Sequence, residues 1–134
     1  MKRLIILMAM LVMLDSTAYA EPGAVKPHSQ GDVTYVSGGV GADEKAEMEA
    51  LRGSYNLQLL FALRRGEYLS GVRVAITDGS GHAVLDAVSD GPMFFVNLQP
   101  GAYKINAELD GRGLEKTVNV GSRKATRVNL LWAE

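Results

Sequence analysis

Residues 70–109 read SGVRVAITDGSGHAVLDAVSDGPMFFVNLQPGAYKINAEL. Val72, Val74 and Ile76 alternate with Arg73, Ala75 and Thr77, and Tyr103, Ile105, Ala107 and Leu109 alternate with Lys104, Asn106 and Glu108. A period of two places successive side chains on opposite faces of an extended strand, so each stretch offers one apolar face to a core and one polar face to water. Asp78-Gly79-Ser80-Gly81, Asp90-Gly91-Pro92 and Gln99-Pro100-Gly101 cut the segment into pieces. Turn residues recurring roughly every ten positions point to an antiparallel sandwich or barrel, not to strands joined by helices.

The pattern continues outward on both sides. Leu57, Leu59, Phe61 and Leu63 alternate upstream, and Val128, Leu130 and Trp132 alternate downstream. Arg64-Arg65-Gly66, Asp110-Gly111 and Val120-Gly121-Ser122 supply the remaining turns. Strands are expected over 55–63, 71–77, 82–88, 93–98, 102–109, 113–120 and 125–132. The expected fold is mainly β, a seven-stranded antiparallel Greek-key sandwich with one short N-terminal helix.

Within that frame, Pro100-Gly101 suits the centre of a type II turn, where glycine takes the positive φ. Tyr103 then starts a strand with its ring inward and its hydroxyl within reach of backbone at the corner. Val72-Arg73-Val74, Asp78 with Gly81, Ser89-Asp90-Gly91, the aromatic run Phe94 to Leu98, Pro100-Gly101 and Tyr103 follow one another in a familiar order. In that order they resemble the carboxypeptidase regulatory-like domain, a transthyretin-like (prealbumin-like) β-sandwich. The resemblance covers about half of the chain after residue 20, and it implies a 55–134 domain that acts through surfaces. Hydroxyisourate hydrolases share the transthyretin-like fold and end in Tyr-Arg-Gly-Ser. Here Arg52-Gly53-Ser54 is internal, so the resemblance does not imply that activity.

Residues 1–20 read as a secretory signal peptide. Lys2 and Arg3 precede an unbroken apolar run from Leu4 to Leu14, and Ala18-Tyr19-Ala20 offers small residues where a signal peptidase reads, with cleavage expected before Glu21. The run is too short to cross about 30 Å of hydrocarbon, so no stable membrane insertion is expected after cleavage. The expected destination is export: the periplasm in a Gram-negative source, the medium otherwise. Loss of Lys2, Arg3 and Asp15 turns 14 basic and 15 acidic residues into 12 and 14, leaving no field to attract nucleic acid. The chain has no cysteine, so a single hydrophobic core must hold it without disulfides.

Residues 21–32 (EPGAVKPHSQGD) read as a flexible leader. Residues 33–54 hold a short edge strand at 33–36, a glycine-rich loop and a helix of about two turns capped by Asp43 and stopped by Gly53. Glycines before a helix can cradle phosphate, but Glu44 stands where G-x-G-x-x-G needs glycine. Asp43, Glu44 and Glu47 would also repel an anion there.

Other chemistry is thinly supplied. Beyond residue 20 the histidines are His28 and His82, and the spacing of Asp78, Asp86 and Asp90 is not that of a calcium loop. No metal, cofactor or catalytic residue is therefore assigned. The expected function is a non-catalytic binding, accessory or scaffolding module with a protein or envelope partner. Two alternatives stand beside it: a loop-sited hydrolase or metal-dependent enzyme around His82, Asp86 and Asp90, and a subunit of a cell-envelope assembly pairing through a sheet edge. Met93 and Phe95 alternate outward from Phe94 and Val96 and form a candidate partner surface, unless Met48 and Leu51 of the helix cover them. Arg123, Lys124 and Arg127 form a basic cluster at the last turn, either guarding an edge strand or serving the same surface.

Overall fold

The computed structural model describes residues 25–133, so the signal-peptide reading of 1–20 lies outside the described residues. Among the described residues, nine strands and one α-helix follow in order: β1 (His28–Gln30), β2 (Val33–Gly38), α1 (Gly41–Leu51), β3 (Leu57–Leu63), β4 (Arg73–Asp78), β5 (Ala83–Val88), β6 (Met93–Asn97), β7 (Gly101–Leu109), β8 (Arg112–Val120) and β9 (Thr126–Trp132). A 3₁₀ turn, Arg52–Ser54, follows α1. The strands form two sheets, ordered β1-β2-β6-β3-β9 and β5-β4-β7-β8.

The sandwich is as the alternation requires. Phe61, Phe94, Leu57, Leu59, Val74, Ile76, Ile105 and Leu130 are buried between the sheets. Phe61 sits at the centre, its ring 6.3 Å from that of Phe94 and 6.1 Å from that of Trp132. The corner tyrosine behaves as its position demands: Tyr103 Oη donates to the carbonyl of Gln99 at 2.7 Å. Burial raises its pKa, with the nearby Asp78 carboxylate adding to the shift.

Three features depart from expectation. The sheets are not wholly antiparallel: β3 and β9 run parallel, from Leu57↔Thr126 to Leu63↔Trp132. Hairpin turns fix the sense of chain neighbours such as β4–β5 and β7–β8, but β3 and β9 are joined through the whole opposite sheet, so no local turn sets their direction. The described residues hold nine strands against the expected seven, because the short strand expected at 33–36 joins the sheet beside β6 and part of the expected leader is itself a strand: His28–Gln30 pairs with Val33–Tyr35. Consequently β2 is not an edge strand; it lies between β1 and β6, with Val36 opposite Phe95. Finally, α1 starts at Gly41, with Val40 in the N-cap position and no side-chain cap, so Asp43 falls inside the first turn.

One close backbone approach and one side-chain link fix how β2 meets the turn before β6. A Cβ on Gly91 would run into the carbonyl group of Gly38, so only glycine fits there. Ser37 Oγ accepts the Asp90 N–H at 2.9 Å and donates to Asp90 Oδ2 at 3.3 Å. The turn is thereby stitched to β2.

Candidate functional site

The residues proposed for catalysis or metal binding fall at separate places. His82 lies in the turn before β5, Asp86 within the strand and Asp90 beyond its end, so the six residues of β5, spanning about 20 Å, separate His82 from Asp90. Each has a local partner. Asp78 Oδ1 accepts the N–H groups of Ser80 (2.9 Å) and His82 (3.0 Å), and its Oδ2 lies 3.5 Å from His82 Nδ1. The backbone hydrogen bond from His82 leads the effects that lower the Asp78 pKa. Asp86 takes a two-pronged contact from Arg73, at 3.2 and 3.0 Å, which lowers its pKa. Among the described residues, no three His, Cys, Asp or Glu side chains gather as metal ligands would.

The glycine-rich loop is filled from within. Glu44 Oε1 accepts the Gly39 N–H at 3.2 Å, the donor a bound anion would seek, and Glu47 Oε2 accepts the N–H of Val25 at 2.7 Å. Glu47 therefore ties the helix to the chain before β1, and Glu44 in its first turn ties it to the loop after β2. Such carboxylate–amide bonds are charge-assisted, and they compensate for a helix with little apolar face of its own. Met48 is its one buried side chain, and Leu51 is half-buried.

Met93 and Phe95 lie beneath that helix, 4 % and 1 % exposed. With Val36, Met48 and Tyr55 they form a second, smaller core on the outer face of the five-stranded sheet. They are therefore not a partner surface, and the covering by Met48 and Leu51 is the arrangement found. Arg52 completes the cover. Its guanidinium lies 5.0 Å from the centre of the Phe95 ring, donates to buried Gln58 Oε1 at 2.8 Å, and grips Glu49 at 2.6 and 2.9 Å. The Arg52 hydrogen bond chiefly lowers the Glu49 pKa. Gln58 returns its amide to the Arg52 carbonyl at 2.8 Å, which accounts for a polar side chain buried on that face.

Beyond the helix the same face is uncovered. Leu60 is half-buried, Leu131 is 44 % exposed and Tyr68 is 57 % exposed, with Lys45 Nζ 5.8 Å from the Tyr68 ring centre. Arg127 borders this area beside Arg52, Gln58 and Asn129. Arg123 and Lys124 are exposed in the β8–β9 turn. The basic cluster thus remains a surface feature, whereas the Met–Phe pair does not.

The two open sides of the sandwich are closed differently. On one, the Gln30 side chain reaches from β1 to β5: its Nε2 donates to the Asp86 carbonyl at 2.7 Å and its Oε1 accepts the Asp86 N–H at 3.0 Å. One amide side chain thus makes the pair of bonds that a neighbouring strand would make. On the other side, β8 and β9 are tied at their ends. Thr126 Oγ1 donates to the Asn119 carbonyl at 3.1 Å, Trp132 Nε1 to the Arg112 carbonyl at 3.1 Å, and Arg112 Nη1 to the Ala133 carbonyl at 2.7 Å. Between the ties lies a cleft of about 490 Å³, lined among others by Arg64, Leu114, Lys116 and Leu131. Lys116 went unremarked in the sequence, although it interrupts the apolar alternation of Leu114, Val118 and Val120.

No protein-family model and no curated protein matches the chain.

Proposed function

We propose that the chain is an exported, non-catalytic β-sandwich module of the carboxypeptidase regulatory-like kind, serving as a binding or accessory unit in the cell envelope. The observation that carries this reading is how the polar side chains of the strand-end loops are used. Asp78, Asp86 and Asp90 each hold a turn or a neighbouring strand at separate points, while the apolar and basic surface around Leu60, Tyr68, Leu131 and Arg127 faces outward. Groups spent on local bonds support a scaffold, and an apolar patch rimmed by charge supports contact with a partner.

The test has three readouts. N-terminal sequencing of the exported product should begin at Glu21. The full-length exported protein, tagged at its C-terminus, should capture a stoichiometric partner from envelope extract, and elemental analysis should find no stoichiometric metal. A hydrolytic activity lost in His82→Ala, or a bound metal lost with Asp86→Asn, would replace this reading with the enzymatic one.

A further inference from the structure

β8 is an edge strand of nine residues, and one of its core-facing positions carries a charge. Directly opposed residues in an antiparallel pair share a face. Leu114 lies opposite Ala107, Lys116 opposite Ile105 and Val118 opposite Tyr103, and all three β7 partners are buried in the main core. Lys116 therefore leaves the backbone on the core side of its sheet, yet it is exposed, because the cleft between β8 and β9 opens there. Arg64 lines the same cleft, and neither cation has an ion-pair partner among the described residues. The nearby acid, Glu115, is held by Lys104 at 3.6 Å.

The backbone of β8 is also open at this point. Leu109↔Arg112 flank the two-residue turn Asp110-Gly111, whose φ values of 50° and 77° are those of a type I′ hairpin. In such a hairpin the flanking pair is hydrogen-bonded, and the ladder alternates from there. Arg112, Leu114, Lys116 and Val118 therefore bond to β7, while the N–H and C=O groups of Gly113, Glu115 and Thr117 turn away from it. The next group in that outward series, the Asn119 carbonyl, is the one that Thr126 takes. The opposite edge of this sheet differs, because Gln30 already fills the bonding positions of Asp86 on β5.

We propose that the open middle of β8 is a strand-addition site for an extended acidic segment of a partner protein. The segment pairs with Gly113, Glu115 and Thr117 and sets a carboxylate beside Lys116 and Arg64. Its residues two places to either side of that carboxylate face the apolar Leu114 and Val118, so the recognised pattern is apolar–x–acidic–x–apolar. Lys116 and Glu115 together select against a second copy of the chain. Antiparallel self-pairing centred on the open stretch sets Lys116 against Lys116 or Glu115 against Glu115. The inference rests on the binding-module reading and assigns it an edge and a partner chemistry.

The test uses fluorescence anisotropy with labelled peptides of about seven residues that alternate threonine and valine around a central glutamate or a central lysine. The full mature chain should bind the glutamate peptide saturably and the lysine peptide roughly tenfold more weakly, and Lys116→Glu should reverse that preference. Thr117→Pro removes only an N–H turned away from β7, so it should abolish binding of both peptides and shift the thermal midpoint by no more than about 5 °C. If Thr117→Pro fails to fold, the exchange of preference in Lys116→Glu decides alone. The proposal is overturned by the absence of saturable binding to the glutamate peptide, by indifference to the charge at position 116, or by a folded Thr117→Pro protein that binds as the parent does. A concentration-dependent dimer abolished by Thr117→Pro would assign the edge to a second copy instead. A partner captured from envelope extract equally by parent and Thr117→Pro would overturn the edge site and leave the binding-module reading intact.

Discussion

Phe94 and Phe95 are neighbours on β6, and both are buried, but they belong to different cores. Phe94 faces the sandwich interior, where two sheets supply apolar side chains on every side. Phe95 faces outward into a cluster of five buried residues roofed by a helix that contributes one buried side chain, Met48. The interior core holds because strand alternation is redundant, with many residues sharing the burial. The outer core is held at a few points: Met48, the Arg52 clamp, and the Glu44 and Glu47 carboxylates on backbone amides. A layer fixed at so few points opens at lower free energy than the whole domain.

Substitutions should expose that difference, beginning with the largest effect. Phe94→Ala is expected to cost about 3–5 kcal/mol in chemical denaturation, because the sheets on both sides cannot close over the lost ring. Gly91→Ala should follow at about 2–3 kcal/mol, since its Cβ meets the Gly38 backbone and no flexible side chain can yield. Met48→Ala should cost about 2 kcal/mol, and hydrogen exchange should distinguish it from Phe94→Ala. Its α1 amides should exchange faster while those of β4 and β7 keep their protection; uniform acceleration would show that the two cores unfold as one.

Glu47→Gln should weaken the attachment of the helix by about 1 kcal/mol, again read from α1 exchange. The smallest effect expected is that of pH. Asp86 has a lowered pKa, so its contribution is present above the ordinary carboxylate range and is lost as pH falls through its folded value. Because the Arg73–Asp86 pair is exposed, Asp86→Asn should flatten the acid limb of the stability curve by less than about 1 kcal/mol.

The inner core was legible in the chain because a strand's period is local. Val72, Val74 and Ile76 face one way whatever pairs with β4, and Tyr103 seeks its corner bond within four residues. The outer core was half legible. Alternation sets Met93 and Phe95 on the opposite face from Phe94, but what covers that face depends on a helix that carries almost no apolar stripe. Glu44 and Glu47 anchor it in a way that adds to their reading as repellers of anions: Glu44 occupies the Gly39 amide of the loop, and Glu47 holds the amide of Val25. His28–Gln30 gave no strand signal because three polar residues acquire β structure by pairing with β2. Lys116 was visible as a break in alternation. Its meaning depends on β8 being an edge and on the adjoining cleft, and neither is a local property.

A mainly β chain, its turn positions, the inner faces of its strands and a short helix ahead of the sandwich strands can all be read from the residues alone. These follow from the geometry of one extended or helical segment and from which of its side chains avoid water. Long-range pairing sets the rest: β9 runs parallel to β3, β1 and β2 extend one sheet, and Gln30 closes one side while the middle of β8 stays open. Those outcomes depend on hydrogen bonds between segments distant in the chain, where no local turn fixes direction and no local pattern marks an edge.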